Sequence, residues 1–136
     1  MLGALRDDAL CATDAGFLLR LSLPWIRSLP LWSLVDLDVA IDGDPEPGLH
    51  IVLGDRTITP PALADEPGWW FVQDRLVLRG ERTLAPGAQD VNVGFGLMVP
   101  YLQAGPDGPL RLPFHFNRTL TPHESPVVPT VALDVA

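Results

Sequence analysis

The sequence predicts an all-β protein, an antiparallel β-sandwich of about eight strands, with a jelly roll as one arrangement the pattern allows. Three observations carry this. Apolar residues recur at every second position in several short runs, fifteen prolines and twelve glycines punctuate the chain, and no stretch keeps a helical period long enough for a crossover helix. Interior prolines remove backbone donors and interior glycines raise the entropy cost of folding, so a helical bundle would not tolerate them in this number. With 136 residues, 47% of them hydrophobic, the chain has the size of one domain and enough apolar surface to build a core. We read 1–136 as one sandwich, with a less regular, Pro-rich C-terminal segment over 118–136.

Phe17, Leu19, Leu21 and Leu23 alternate with Leu18, Arg20 and Ser22, as in a half-buried strand that Pro24 ends. The clearest strand runs from Val35 to Ile41. There Val35, Leu37, Val39 and Ile41 share one face, Asp36, Asp38 and Ala40 take the other, and Asp42-Gly43 makes the turn. Leu49, Ile51 and Leu53 form a third run, closed by Gly54-Asp55 as a hairpin into Thr57-Ile58-Thr59. Pro60-Pro61 stops that strand, and Ala62–Glu66 has room for a single helical turn before Pro67-Gly68. Trp69-Trp70-Phe71-Val72 opens the next strand, in which the two indoles must point to opposite faces. One can fill the core while the other meets a second surface. Leu76 and Leu78 follow, and Leu84–Gly87 turns the chain into a long strand of Val91, Val93, Phe95, Leu97 and Val99. Gly94 and Gly96 on its opposite face predict a bulge or a close approach by another element. Leu110, Leu112, Phe114 and Phe116 alternate with Arg111, Pro113, His115 and Asn117, and Val131, Leu133 and Val135 form a last weak run.

Nine arginines and no lysine face seventeen acidic residues, a net charge of −8. A polyanion meets net repulsion from such a chain, which argues against nucleic acid and anionic membrane as partners. Met1–Leu5 runs into Arg6-Asp7-Asp8 before a long apolar run develops, so no targeting signal is read and the cytoplasm is the default location. Phe17–Trp32 is apolar, but Arg20, Pro24, Arg27 and Pro30 interrupt it short of the roughly 20 residues a membrane span needs. The lone Cys11 cannot form an internal disulfide and reads as a small buried thiol.

No self-sufficient catalytic constellation is present. His50, His115 and His123 include no His-Xaa-His pair, and no zinc-type cysteine set accompanies them, so neither metal nor cofactor is expected in this chain. Ser22, Ser28, Ser33 and Ser125 lie in no nucleophile-elbow context. Asp36, Asp38 and Asp42 are splayed by strand spacing and read as a solvated face rather than a calcium site. Asp7-Asp8 is read the same way. Gly94-Phe95-Gly96 lacks the following helix that a phosphate cradle requires. Two clusters look costly to leave in water: Trp25–Trp32, with Arg27 inside it, and Trp69-Trp70-Phe71. Indole and guanidinium combine large apolar area with directional donors, the chemistry of interface anchors. Trp25, Arg27, Trp32, Trp69 and Trp70 are therefore the candidates for a partner interface or substrate entrance, with His115 as a surface or interface imidazole. Core packing, or stacking of a sugar on an indole face, competes with that reading.

The segments Leu23–Leu31, Val35-Asp36-Leu37, Ile41-Asp42-Gly43, Trp69-Trp70-Phe71 and Leu84–Gly87 together resemble the small β subunit of bacterial C-glycoside deglycosidases, over roughly Arg6 to Phe116. The resemblance implies a two-component enzyme. A larger TIM-barrel α subunit would hold a divalent metal and the catalytic base, and the glycoside, oxidised at C3, would bind at a shared site. The 3-oxo group acidifies the C2 proton, and its removal drives the aglycone from C1 by elimination. The small subunit would be an accessory that completes and stabilises that site, and no catalytic residue carries over onto this chain. A stand-alone carbohydrate-binding or structural module, and a small enzyme acting alone, are the competing readings.

Overall fold

The computed structural model describes residues 4–13, 16–25, 27–71, 73–103 and 109–122. Its strands are β1 (Leu10–Thr13), β2 (Gly16–Ser22), β3 (Leu29–Pro30), β4 (Leu34–Ile41), β5 (Asp44–Pro45), β6 (His50–Leu53), β7 (Arg56–Ile58), β8 (Trp69–Trp70), β9 (Arg75–Gly80), β10 (Gln89–Gln103) and β11 (Pro109–Leu120). Two 3-10 turns, Leu31–Ser33 and Pro60–Asp65, interrupt them. One sheet has the order β1-β2-β9-β6-β7, the second β11-β10-β4-β5, and β3 with β8 makes a small ribbon. Every pairing is antiparallel.

Alternation builds the sandwich. Phe17, Leu19, Leu21, Ile51, Leu76 and Leu78 from the first sheet share one buried cluster with Leu34, Val39, Ile41, Val91, Val93 and Leu97 from the second. Phe95 stacks on Phe114 and Phe116, with ring centroids 5.7 and 6.0 Å apart. Both expected hairpin turns form. Asp42 and Gly43 have φ of 52° and 84° between the paired Ile41 and Asp44, the two left-handed residues that a type I′ turn requires. Gly54, at φ 66°, opens the two-residue loop between Leu53 and Arg56.

Eleven strands among the described residues exceed the eight expected, because β1, β3 and β5 are too short for alternation to show. The expected strand from Trp69 contributes only Trp69–Trp70, and the turn expected at Ala62 starts at Pro60. Proline's fixed φ suits the first residues of a helical turn. The run at Val131–Val135, along with Ile26, Val72, His123 and Ser125, lies outside the described residues. In β2 the face expected to be polar is not solvated: Arg20 and Ser22 are 4% and 7% exposed. Residues before β1 extend along this strand, with Arg20 N–H donating to Ala9 O at 2.9 Å and Ser22 N–H to Ala4 O at 2.9 Å. Asp8 in that segment pairs with the buried Arg75 at 2.9 Å, and Arg118 of β11 donates to Leu5 O and pairs with Asp7. Asp7-Asp8, read as solvated, thus clasps the N-terminal segment to both sheets.

The clearest expected strand carries the main correction. Val35 was expected inward, yet it pairs with the outward Gly96, while Leu34 faces the core opposite Leu97. Between the pairs Val35↔Gly96 and Asp38↔Gly94, two residues of β4 oppose Phe95 alone. This is a β-bulge, and Asp36 adopts φ 54° within it. Asp tolerates the left-handed region better than most residues. The extra residue switches the face of everything before it.

Candidate functional site

The bulge shapes a cleft. β5 pairs with β4 only at Ala40 and Ile41, and Glu46 N–H donates to Val39 O at 2.9 Å. Among the described residues, no strand pairs with residues 34–38 of β4 on that flank. A cleft of about 530 Å³ opens there, walled by Trp32 from the first 3-10 turn, by Pro45–Pro47, and by Pro60, Pro61 and Ala64 from the second. Asp36, Asp38 and Glu46 are its acidic lining residues, with Glu46 Oε1 accepting from Gly48 N–H at 3.3 Å, and among the described residues no Arg or His lines it.

The two glycines of β10 make room for this arrangement. A Cβ at Gly94 would run into the Asp38 carboxylate, and one at Gly96 would sit 2.9 Å from the Arg111 guanidinium. The close approach expected of these glycines is therefore made by side chains of the flanking strands. Arg111 lies across Gly96 and donates to Asp36 Oδ2 at 2.5 Å. One of the three carboxylates is thereby neutralised. Asp38 and Glu46 form no ion pair with a described residue.

A second feature lies on the β3–β8 ribbon, where Pro30 pairs with Trp69 and Leu29 with Trp70. Trp70 is 1% exposed and its Nε1 donates to Asp74 O at 3.2 Å. Trp69 and Phe71 point away from the core and are 49% and 47% exposed, the two exposed large hydrophobic residues among those described. Leu31 N–H donates to Gly68 O at 3.0 Å, which holds the segment carrying Trp32 against the one carrying Trp69. The segment that leaves the ribbon at Pro30 thus carries Trp32 into the cleft.

The six residues singled out from the sequence separate accordingly. Trp69 is on the surface, Trp32 is half-buried in the cleft, and Arg27 is exposed. Trp25 is half-buried against the core. Trp70 is a correction: strand alternation turns it inward, so it has no face to offer a partner. His115 is exposed across from Gly94 on the outward face of the second sheet, and it does not line the cleft. Sequence reasoning missed Glu46 and the proline walls. The run Asp44-Pro45-Glu46-Pro47 signals a stiff acidic turn, but no periodicity places it beside Trp32.

The wall of the cleft is anchored electrostatically. Arg56 of β7 pairs with Glu66, just past the second 3-10 turn, at 2.8 Å. The hydrogen bond from Arg56 holds the Glu66 carboxyl below its ordinary range, against a smaller opposing effect of burial, and the same bond raises Arg56. Among the described residues, no three His, Cys, Asp or Glu side chains come together as metal ligands. No helix among them is long and apolar enough to cross a membrane.

No family model matches the chain. Individual relatives do. It is 32% identical over 101 residues to the 3'-dehydrocarminate deglycosidase beta subunit of a Microbacterium species, covering 71% of this chain and 76% of the relative. It is 29% identical over 121 residues to the C-glycoside deglycosidase beta subunit of Arthrobacter globiformis, covering 85% and 92%. The C-glycoside deglycosidase beta subunit of Microbacterium trichothecenolyticum is 32% identical over 106 residues, covering 74% and 76%. Together with an all-β sandwich that exposes an aromatic face, these likenesses show that the chain belongs to the C-glycoside deglycosidase beta-subunit family.

Proposed function

We propose that this chain is the accessory small subunit of a two-component, cytoplasmic C-glycoside deglycosidase, and that it docks on a larger TIM-barrel subunit through the face carrying Trp69 and Phe71. The observation that carries the reading is the pair of half-exposed aromatics flanking a fully buried Trp70. An apolar surface of that kind, held out on a short ribbon, has the composition of an interface anchor. The beta-subunit names of the relatives support the presence of a partner subunit.

In this reading the lyase chemistry belongs to the larger subunit. A base there removes the C2 proton of a 3-oxo-glycoside, the electron pair forms the C1–C2 double bond, and the aglycone departs from C1 with a proton in place of the sugar. A divalent metal in that subunit would stabilise the charge that develops as the C2 proton leaves. This chain's part, in the same reading, is to bind and shape the site. Pro45, Pro47, Pro60 and Pro61 make a stiff rim to the cleft, suited to holding a neighbouring subunit's loop in one conformation.

The test is co-expression with the neighbouring gene, size-exclusion chromatography, and a cleavage assay on a 3-oxo-C-glucoside. Co-elution, with aglycone released only by the complex, is the expected result. A chain that elutes alone and leaves the neighbour's activity unchanged would sink the subunit reading in favour of a stand-alone module.

A further inference from the structure

We propose that the open flank of β4, residues 34–38, is a strand-addition site: an extended, basic segment of the larger subunit enters the cleft and pairs with this edge, with Leu37 as its central backbone partner. The inference deepens the subunit reading and rests on it for the partner; the edge itself is built wholly from this chain.

The edge follows from where β5 stops. Ile41 pairs with Asp44 and Ala40 with Pro45, and Val39 O accepts from Glu46 N–H at 2.9 Å. Continued in that register, the chain would bring Gly48 opposite Leu37. Instead Gly48 N–H donates to Glu46 Oε1 at 3.3 Å, and Gly48 O accepts from His50 Nδ1 at 3.0 Å. Both backbone groups that would extend the ladder are thus spent inside their own loop. Along a strand the backbone groups of successive residues face alternate sides. Val39 faces the β5 flank, Asp38 pairs with Gly94 of β10 on the other, and Leu37 therefore presents its N–H and C=O to the cleft. No described residue pairs with them there. An unpaired edge is a template for another chain, and natural sheets usually cover it. Four prolines line the cleft; none has an N–H, so none can donate to the edge from across it.

The lining selects what is added. Trp32, Leu37, Ala64 and the prolines make it apolar, and its charged residues are Asp36, Asp38 and Glu46, with no Arg or His among the described lining residues. Arg111 pairs with Asp36, which leaves the lining net acidic. A segment entering here gains by carrying lysine or arginine and loses by carrying carboxylates. That disfavours a second copy of this chain, whose net charge is −8. It favours the larger subunit, because the docking ribbon leads into the cleft: Pro30 pairs with Trp69, and Trp32 follows in the next turn. Main-chain pairing then supplies affinity, and the stiff proline walls hold the edge ready for it.

The test is amide hydrogen exchange of the 15N-labelled full chain, alone and co-purified with the larger subunit, read by NMR after quenching and transfer to aprotic solvent. In the free chain the Leu37 amide should exchange readily while that of Asp38, turned to β10, is protected. In the complex, exchange at Leu37 should slow by at least about tenfold. Asp38→Lys reverses a charge on the exposed rim and leaves the backbone of the edge intact; it should lower the affinity for the larger subunit. Assembly without protection of Leu37 overturns the strand-addition site and leaves the subunit reading standing, whereas failure to assemble removes both. A Leu37 amide already protected in the free chain, by a second copy or by this chain's own residues, overturns the proposal. So does an Asp38→Lys chain that assembles with the parental affinity.

Discussion

Replacing Trp69 by alanine should cost partner affinity and little else. The indole is 49% exposed and the neighbouring Phe71 ring 47%. An aromatic side chain has roughly 150–250 Å² to bury, so about 100 Å² of each remains for a partner to cover. At about 25 cal/mol per Å² that area is worth about 2 kcal/mol per side chain, or about a 30-fold weakening for either truncation. The rings are neighbours on one ribbon, so the double variant should fall short of the product of the two effects. Because neither ring fills the core, the melting temperature should move little, which separates a docking defect from unfolding. Titration calorimetry of each variant against the larger subunit measures the loss, and circular dichroism melts check the fold. A double variant that binds within about threefold of the parent while keeping its melt would refute the assignment of this face. The interface would then have to be sought at Arg27 or around His115.

Trp70→Ala is expected to do the opposite: removing a 1%-exposed indole should cost about 3–5 kcal/mol in urea unfolding while leaving any surviving folded protein able to bind. Gly94→Ala should cost less than about 1 kcal/mol, since the exposed Asp38 carboxylate that its methyl group meets can swing aside; Gly43→Ala, with open space around it but φ 84°, should cost about 1 kcal/mol from backbone strain alone. The Glu66 carboxyl is held below its ordinary range by the hydrogen bond from Arg56. Its contribution to stability is therefore fully present above the value it has unfolded, and is lost as pH falls through the lowered folded value. An NMR titration should find its midpoint below that of an isolated glutamate, and Arg56→Ala should move it upward; a midpoint unchanged by that substitution would show that the pair does not set it.

Much of the sandwich was legible because period-two alternation is a direct image of burial. Phe17–Leu21, Ile51–Leu53, Leu76–Leu78 and Val91–Val99 all place their apolar rows inward as their spacing requires. Asp42-Gly43 and Gly54-Asp55 marked turns for an equally local reason, the need for positive φ. What alternation cannot report is a strand of two or four residues, or a contact made across the chain. Thus β1, β3 and β5 were missed, and Asp7 and Asp8 looked solvated although they meet Arg118 and Arg75, residues more than sixty positions away. The indoles show the same limit: adjacent Trp69 and Trp70 had to diverge, but only the ribbon pairing decides which one turns inward.

The one strong local pattern that misled is also the one that builds the cleft. Val35, Leu37, Val39 and Ile41 alternate without a break in the sequence, so the simplest strand puts all four in the core. The structure instead spends an extra residue at Asp36, against local preference for a regular strand. It thereby turns Val35 outward, lets Arg111 lie over Gly96, and lays the Asp38 carboxylate over Gly94. A sequence under selection for the sandwich alone has no use for that interruption, since an unbroken β4 would bury Val35 and pair more regularly with β10. Where local pattern and global structure disagree in a natural protein, the disagreement tends to fall at a functional site. Removing it is therefore informative. Deleting Asp36 should restore register and leave the sandwich folded, while closing the cleft and weakening assembly with the larger subunit; a deletion variant that keeps both the fold and the parental affinity would show that the bulge serves packing and not function.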